Sequence, residues 1–384
     1  MKKFCIIIPF HNSWNWHTDY TNQTALLLSR RHTVICYLWG DAVSLREIII
    51  DKKPFVPVTK NGNMWRYHPL FIIPGKRIVS IQYINMFLNC VAVYLLSIGI
   101  AIRKNQRLLF WFFGIFDPVF LLLPLFFRRT QTVYDCVDVP AHPNPKIQLL
   151  LEQSESRLLS YAWIVTANSK TMQSRLKSIR KDTRLVPLGF RNEMFDTKTA
   201  YHMQLDRRHP VIEYIGAIDY RIDLSLLEHL VSRHSRWQFV IVGPVFHDHL
   251  SVKEQARMRI LLSKSNVRHA HVANRYIPDI LSKCDVTIIP YRSDSIFNQY
   301  AFPMKTMEYL YAQKRIIAAE GIRELRRFYP LVLFASNPKE WEQYLEHAIA
   351  HPLSLAQKIL ARNTALSHTW EKKIRALCRL IETS

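Results

Sequence analysis

The sequence predicts an α/β protein made of two doubly wound parallel-sheet domains in tandem, and three observations predict it. Its 384 residues exceed one ordinary core and suit two domains of roughly 150 to 200 residues. Short apolar runs alternate with longer helical patterns, the order expected of parallel strands flanked by helices. That rhythm breaks once, in the polar, aperiodic stretch 191–209 ("RNEMFDTKTAYHMQLDRRH"), and then restarts.

Taken in order, the first half offers strands "FCIIIPF", "HTVICYLW", "RLLFWFFG", "QTVYDCVD", "WIVTAN" and "DTRLVPLG". Helices are expected over 20–30, 81–102, "PVFLLLPLFF", 146–160 and "SKTMQSRLKSI". The second half repeats the pattern with "PVIEYIGAI", "WQFVIVGPV", "NVRHAHV", "DVTIIPY", "RIIAA" and "LVLFAS". The expected domains are 1–195 and 208–370, and 371–384 is a helix that packs back on the first domain. Two such units leave a cleft between them, and ligands of these sheets bind outside the carboxyl ends of the strands. Residues just after each strand are therefore the candidates.

Lys and Arg outnumber Asp and Glu by 52 to 30, giving a formal charge of +22 and a pI near 9.8. An anionic partner follows: nucleic acid, an acidic membrane surface or a phosphorylated small substrate. No zinc-finger spacing, basic zipper or aromatic RNA-binding signature occurs, so nucleic acid is not expected. Six cysteines are scattered without a C-x-x-C pair or metal-ligand spacing, which suits a reduced, cytosolic chain with no metal. "MKKFCIIIPF" begins like a signal peptide, but its apolar run ends at "HNSWNWH" without a small-residue cleavage site, and a first buried strand is expected instead. Residues 81–102 carry no charge and are long enough to cross a bilayer core of about 30 Å. Gln82, Asn85, Asn89 and Ser97 nevertheless suit one polar stripe on a buried helix, and a soluble chain is the expectation.

Only nine glycines occur, and none forms G-x-G-x-x-G or a P-loop. Phosphates would then be held by a helix N-terminus and cationic side chains. "FPMKTMEYL" (302–310) offers Pro303 for the first helical position, Lys305 as a mobile cation and Glu308 as an acceptor for the two hydroxyls of a ribose. The loop "RSDSIFNQYA" before it supplies backbone N–H groups; a capped surface helix is the plainer alternative. "GAIDYRIDLSLLEHL" (216–230) places Gly216 for close backbone approach and Arg221, at the start of the next helix, for a diphosphate, or for a local pair with Asp219 or Asp223. In "YDCVDVPAHP" (134–143), Asp135 or Asp138 could orient an acceptor hydroxyl or cap a helix. The loop 11–20, with His11, Trp14, Trp16, His17, Asp19 and Tyr20, suits stacking on sugar rings or core packing.

Together these stretches resemble bacterial glycosyltransferases of the two-domain GT-B architecture, similar to glycosyltransferase family 4 (group 1) in cell-surface polysaccharide synthesis. "YDCVDVPAHP" with "LLSYAWIVTANSK", "RLVPLGFRNEMF", "YIGAIDYRIDLSLLEHL" with "FVIVGPV", and "NVRHAHVANRYIPDILSKCDVTIIPYRSD" leading into "FPMKTMEYLYAQKRIIA" carry the resemblance. It implies hexosyl transfer, with retention, from a nucleotide diphosphate-sugar to a glycan or lipid-linked acceptor, without metal or other cofactor. Gly216, Arg221, Tyr276, Pro303, Lys305 and Glu308 would bind the donor. Trp16, His17 and Asp138 would bind the acceptor, and Asp138, Arg221 and Lys305 would act in catalysis. Three positions depart from the family pattern: Tyr300 stands where many members carry a second glutamate, Leu188 where an asparagine is common, and Ala273 where a glycine is frequent. They bear on the anomeric outcome more than on donor binding, and they motivate the alternative of a non-catalytic GT-B-like binding or scaffold protein. The positive charge and the apolar first half suggest a cytoplasmic protein in peripheral contact with an anionic membrane.

Overall fold

The computed structural model describes residues 3–10, 14, 19–75, 78–114, 131–142, 144–196 and 199–383. The chain forms two compact units, Met1–Pro187 with Trp370–Ser384, and Leu188–Thr369. The crossing between them falls at Pro187–Leu188, so the expected boundary at 195 lies inside the second unit, as does the polar stretch 191–209. That stretch is not a free linker: Tyr201 N–H donates to Asp279, and Gln238 bonds both the backbone N–H and the carbonyl of Asp206.

The first unit has strands β1 Phe4–Phe10, β2 Thr33–Leu38, β3 Val43–Ser44, β4 Val58–Asn61, β5 Met64–Tyr67, β6 Leu70–Phe71, β7 Arg107–Phe112, β8 Gln131–Cys136, β9 Ile164–Ala167 and β10 Arg184–Leu185. Its main sheet runs β10-β9-β8-β7-β1-β2-β5-β4, with every pairing parallel except β4 with β5. The central strands are buried on both faces, which is why they read as unbroken apolar runs. The β4–β5 hairpin and the small β3–β6 pair were not read from the sequence, although Asn61-Gly62 carries a hairpin signal. The helices are α1 Asp19–Leu28, α2 Leu45–Ile49, α3 Val79–Lys104, α4 Pro145–Tyr161 and α5 Lys170–Lys177. The helix expected over "PVFLLLPLFF" lies outside the described residues.

The second unit carries β11 Val211–Ile215, β12 Gln238–Val242, β13 Val267–Ala270, β14 Val286–Ile289, β15 Arg315–Ala319 and β16 Val332–Ala335 in one parallel sheet of order β13-β12-β11-β14-β15-β16. Strand order reverses direction between β11 and β14, the switch point where such sheets open a site at their carboxyl ends. Its helices are α6 Leu224–Arg233, α7 Val252–Leu262, α8 Ile277–Ser282, α9 Ile296–Tyr300, α10 Lys305–Tyr311, α11 Pro338–Ala350 and α12 Leu355–Leu366.

The last helix, α13 Trp370–Thr383, belongs to the first unit, where it packs on α1. It buries Trp370, Ile374, Leu377, Cys378 and Ile381 along one face, and Lys373 beside them. The Lys373 ammonium lies 3.0 Å from Asp135 Oδ2 on β8, and Thr166 on β9 donates to Oδ1 of the same carboxylate at 2.7 Å. Asp135 is therefore a structural anchor and not a residue for an acceptor. Removing one partner strands a buried charge, so Lys373→Ala is expected to destabilise the first unit by about 3–5 kcal/mol, and Asp135→Asn with Lys373→Met to recover much of it. Urea denaturation of the single and double variants checks this.

Candidate functional site

Three of the residues singled out in the sequence meet at the carboxyl end of β11. Gly216 follows the strand with φ +139, and its N–H donates to the Val242 carbonyl at 2.8 Å. A Cβ built there would run into Lys305 Nζ and lie 3.0 Å from Lys305 Cε. The next strand end has the same requirement. Gly243, at φ +146, has the Gly216 carbonyl oxygen where its own Cβ would stand. Only glycine satisfies both the backbone conformation and the space.

Lys305 opens α10 and is 9% exposed. Its Nζ lies 3.8 Å from the ring centre of Tyr214 and 4.9 Å from that of Tyr291. Burial pulls its pKa below the ordinary lysine value, against the opposing pull of Tyr291. Burial alone would raise the Tyr291 phenol, but Lys305 and Arg221 reverse this and lower it. The helix is held in place by Tyr309, whose hydroxyl accepts the Ile215 N–H at 2.7 Å, while the Tyr214 hydroxyl donates to the Ala217 carbonyl at 2.8 Å. Six of the seven α10 residues are buried; the exception is Glu308, half-buried one turn after Lys305.

Arg221 joins the cluster from a turn that precedes α6, not from the helix itself, whose N-cap is Asp223. Its Nε and Nη2 are forked by the Asp219 carboxylate at 2.9 and 2.7 Å, the local pair that the sequence left open. Asp223 is occupied with the Leu226 N–H. The guanidinium also faces Tyr291 at 5.8 Å and Phe297 at 5.9 Å. Burial works against its charge, but Tyr291 and Asp219 outweigh that and push its pKa up. The buried Asn298 amide donates to the carbonyls of Arg221 and Arg292, tying this turn to the loop after β14.

Two expectations are corrected here. Pro303 is not the first helical residue: α10 starts at Lys305, and Pro303 is a buried residue whose carbonyl accepts the Thr306 N–H. The segment before it is not an irregular loop, because α9 with its Ser295 cap occupies its middle. Tyr276 lies apart from the strand-end contacts described above, with its ring 5.6 Å from Tyr201 and the Arg275 guanidinium 4.9 Å over its face.

In the first unit, Asp138 sits two residues beyond β8, half-buried. Burial, followed by the charges of Asp138 and Asp135, drives the Tyr20 phenol pKa up, so these groups share one environment near the start of α1. Trp14 packs on Phe10 and lies under the Arg66 guanidinium at 4.1 Å. His11, Trp16 and His17 lie outside the described residues. The sequence reading missed Tyr214 and Tyr291. Tyr291 had a signal, since it lies two residues beyond the carboxyl end of β14; Tyr214, inside a strand, had none.

A lysine cation at a strand end, a backbone made accessible by glycine and an acidic side chain one turn along the same helix form a site suited to a phosphorylated ligand with adjacent hydroxyls. The fold is GT-B, with two Rossmann-like parallel-sheet units. No family model matches the chain. It is 25% identical over 299 residues, 73% of each chain, to TuaH of Bacillus subtilis (strain 168), whose name assigns it to teichuronic acid biosynthesis as a glycosyltransferase. Among solved structures it is similar to sucrose-phosphate synthase from Thermosynechococcus elongatus, with a TM-score of 0.74, 13% identity and 99% of each chain covered. It is likewise similar to Anabaena Alr3699/HepE in complex with UDP, with a TM-score of 0.69, 12% identity and 100% of each chain covered.

Because Lys305 is buried and its pKa lowered, the unfolded chain binds more protons than the folded one between the folded value and 10.5, and Tyr291 acts in the same direction below 10.0. The stability of the wild type relative to Lys305→Met is therefore expected to grow as pH rises toward 10.0. Thermal unfolding of both proteins across an alkaline series checks the sign.

Proposed function

We propose that this protein is a glycosyltransferase whose second unit holds a nucleotide diphosphate-sugar and which transfers the sugar to a glycan or lipid-linked acceptor in surface polysaccharide synthesis. The observation that carries the reading is the Lys305 ammonium seated against the Gly216 backbone at the end of β11, with Arg221 sharing Tyr291. Such fixed cations stabilise a diphosphate as it leaves and need no reorganisation when charge develops. Glu308, half-buried on the same helix, is the acceptor for the ribose hydroxyls. HepE, similar in fold, is known in complex with UDP and with UDP-glucose, and the name of TuaH refers to a wall polysaccharide; both support the reading.

On this reading the leaving group is stabilised without a bound metal, the transferred group is a hexosyl unit, and the anomeric configuration is retained. Asp138, in the environment of Tyr20, orients the acceptor hydroxyl. The reaction takes place in the cytoplasm, at the inner face of the membrane.

Thermal stabilisation by UDP, GDP, ADP, CMP and dTDP tests donor binding, since a ligand of the folded state raises the apparent Tm by mass action. One nucleoside diphosphate, with UDP the first candidate, is expected to stand out for the wild type. Glu308→Ala is expected to weaken it by about tenfold or more, the loss of a charged hydrogen-bond acceptor. Turnover with the matching sugar nucleotide should survive a chelator. Stabilisation without turnover on any glycan or lipid-linked acceptor would favour a non-catalytic binding protein.

A further inference from the structure

Helix α3 is apolar on both sides: it buries Met86, Cys90, Val93, Tyr94, Ile100 and Ala101 and still exposes a second apolar face. Asn85, Asn89 and Ser97 are buried. Asn85 Oδ1 accepts the N–H groups of Ile72 at 2.8 Å and Ile73 at 2.9 Å, and its amide donates to the Ile73 carbonyl. Asn89 holds Leu70 in the same way, accepting its N–H at 3.0 Å and donating to its carbonyl at 2.8 Å. These bonds fix the rotation of the helix. They point outward Ile84, Phe87, Leu88, Leu95 and Ile102, which are 47%, 50%, 37%, 61% and 75% exposed. A helix facing water carries charge on that side, yet no Asp, Glu, Lys or Arg occurs between Ile78 and Ile102.

We propose that this face of α3 rests on the surface of a bilayer with anionic headgroups. The helix is long and apolar enough to cross a membrane by composition. It is nevertheless built into the fold, packed on β1, β7 and β6 and bonded to the backbone of 70–73, so one side belongs to the protein and it lies in the interface without crossing. The occupant follows from charge. The apolar stripe ends at exposed Arg103 and Lys104 on a chain of net charge +22, which an anionic surface attracts and a second copy of the same chain repels. The inference does not rest on the transferase reading.

Flotation of the full chain with vesicles of equal parts phosphatidylglycerol and phosphatidylcholine, against phosphatidylcholine alone, tests it. The wild type is expected to float with the anionic vesicles, less so as salt is raised, and Arg103→Glu to weaken that preference. Combining Ile84→Ser, Phe87→Ser and Leu95→Ser is expected to lower binding by about tenfold or more with the Tm unchanged, because all three side chains are exposed. No flotation of the wild type, or equal flotation of the triple variant, would overturn the proposal. So would light scattering that finds a lipid-free dimer which the triple variant dissolves, since the face would then be covered by a second copy.

Discussion

The second unit is organised around a lysine ammonium placed where water scarcely reaches. Moving such a charge out of water is costly unless partners replace the lost hydration. Here the partners are the faces of Tyr214 and Tyr291, a desolvated cation–π arrangement worth about 2 kcal/mol or more. The arrangement in turn requires a residue without Cβ at 216, and the carbonyl of that residue requires another at 243. Tyr309 then locks α10 to the end of β11. Ordinary packing would be served better by an apolar side chain at 305, so the charge kept there is a cost that packing alone does not repay.

Arg221 is a contrasting case. Its fork is already filled by Asp219, so it contributes fixed positive potential beside Tyr291. The first unit uses the same chemistry for architecture. Asp135 and Lys373, 238 residues apart, bind the last helix to the sheet from which the chain began. A buried ion pair of this kind adds little net stability over an apolar pair, but it penalises any docking of α13 that separates the charges.

The fold was legible because the central strands of both sheets are parallel and buried on both faces, so each of them appears as a short apolar run between helical patterns. What escaped was local. The β4–β5 hairpin interrupts that rhythm with polar, antiparallel strands, and although 371–384 is expected on the first domain, the ion pair that fixes it there is not legible, because the partner of Lys373 lies in a strand far away in sequence. That Lys305 and Gly216 lie together was legible from loop position and spacing. The aromatic cage was not, because a tyrosine within an apolar strand looks like any other core residue until the helix opposite it is placed. Likewise the polar stripe of α3 was visible as spacing, but periodicity alone does not say which side faces the protein.

If the buried Lys305 ammonium is the counter-charge of a diphosphate, its removal must cost affinity for the diphosphate and not for the nucleoside. Calorimetric titration of UDP and of uridine into the wild type and Lys305→Met addresses this directly, with circular dichroism to confirm that both are folded. The wild type is expected to prefer UDP over uridine, and Lys305→Met to lose about tenfold to a hundredfold of UDP affinity while binding uridine unchanged, the value of a hydrogen bond to a charged group. Equal UDP affinity of the two folded proteins would contradict it.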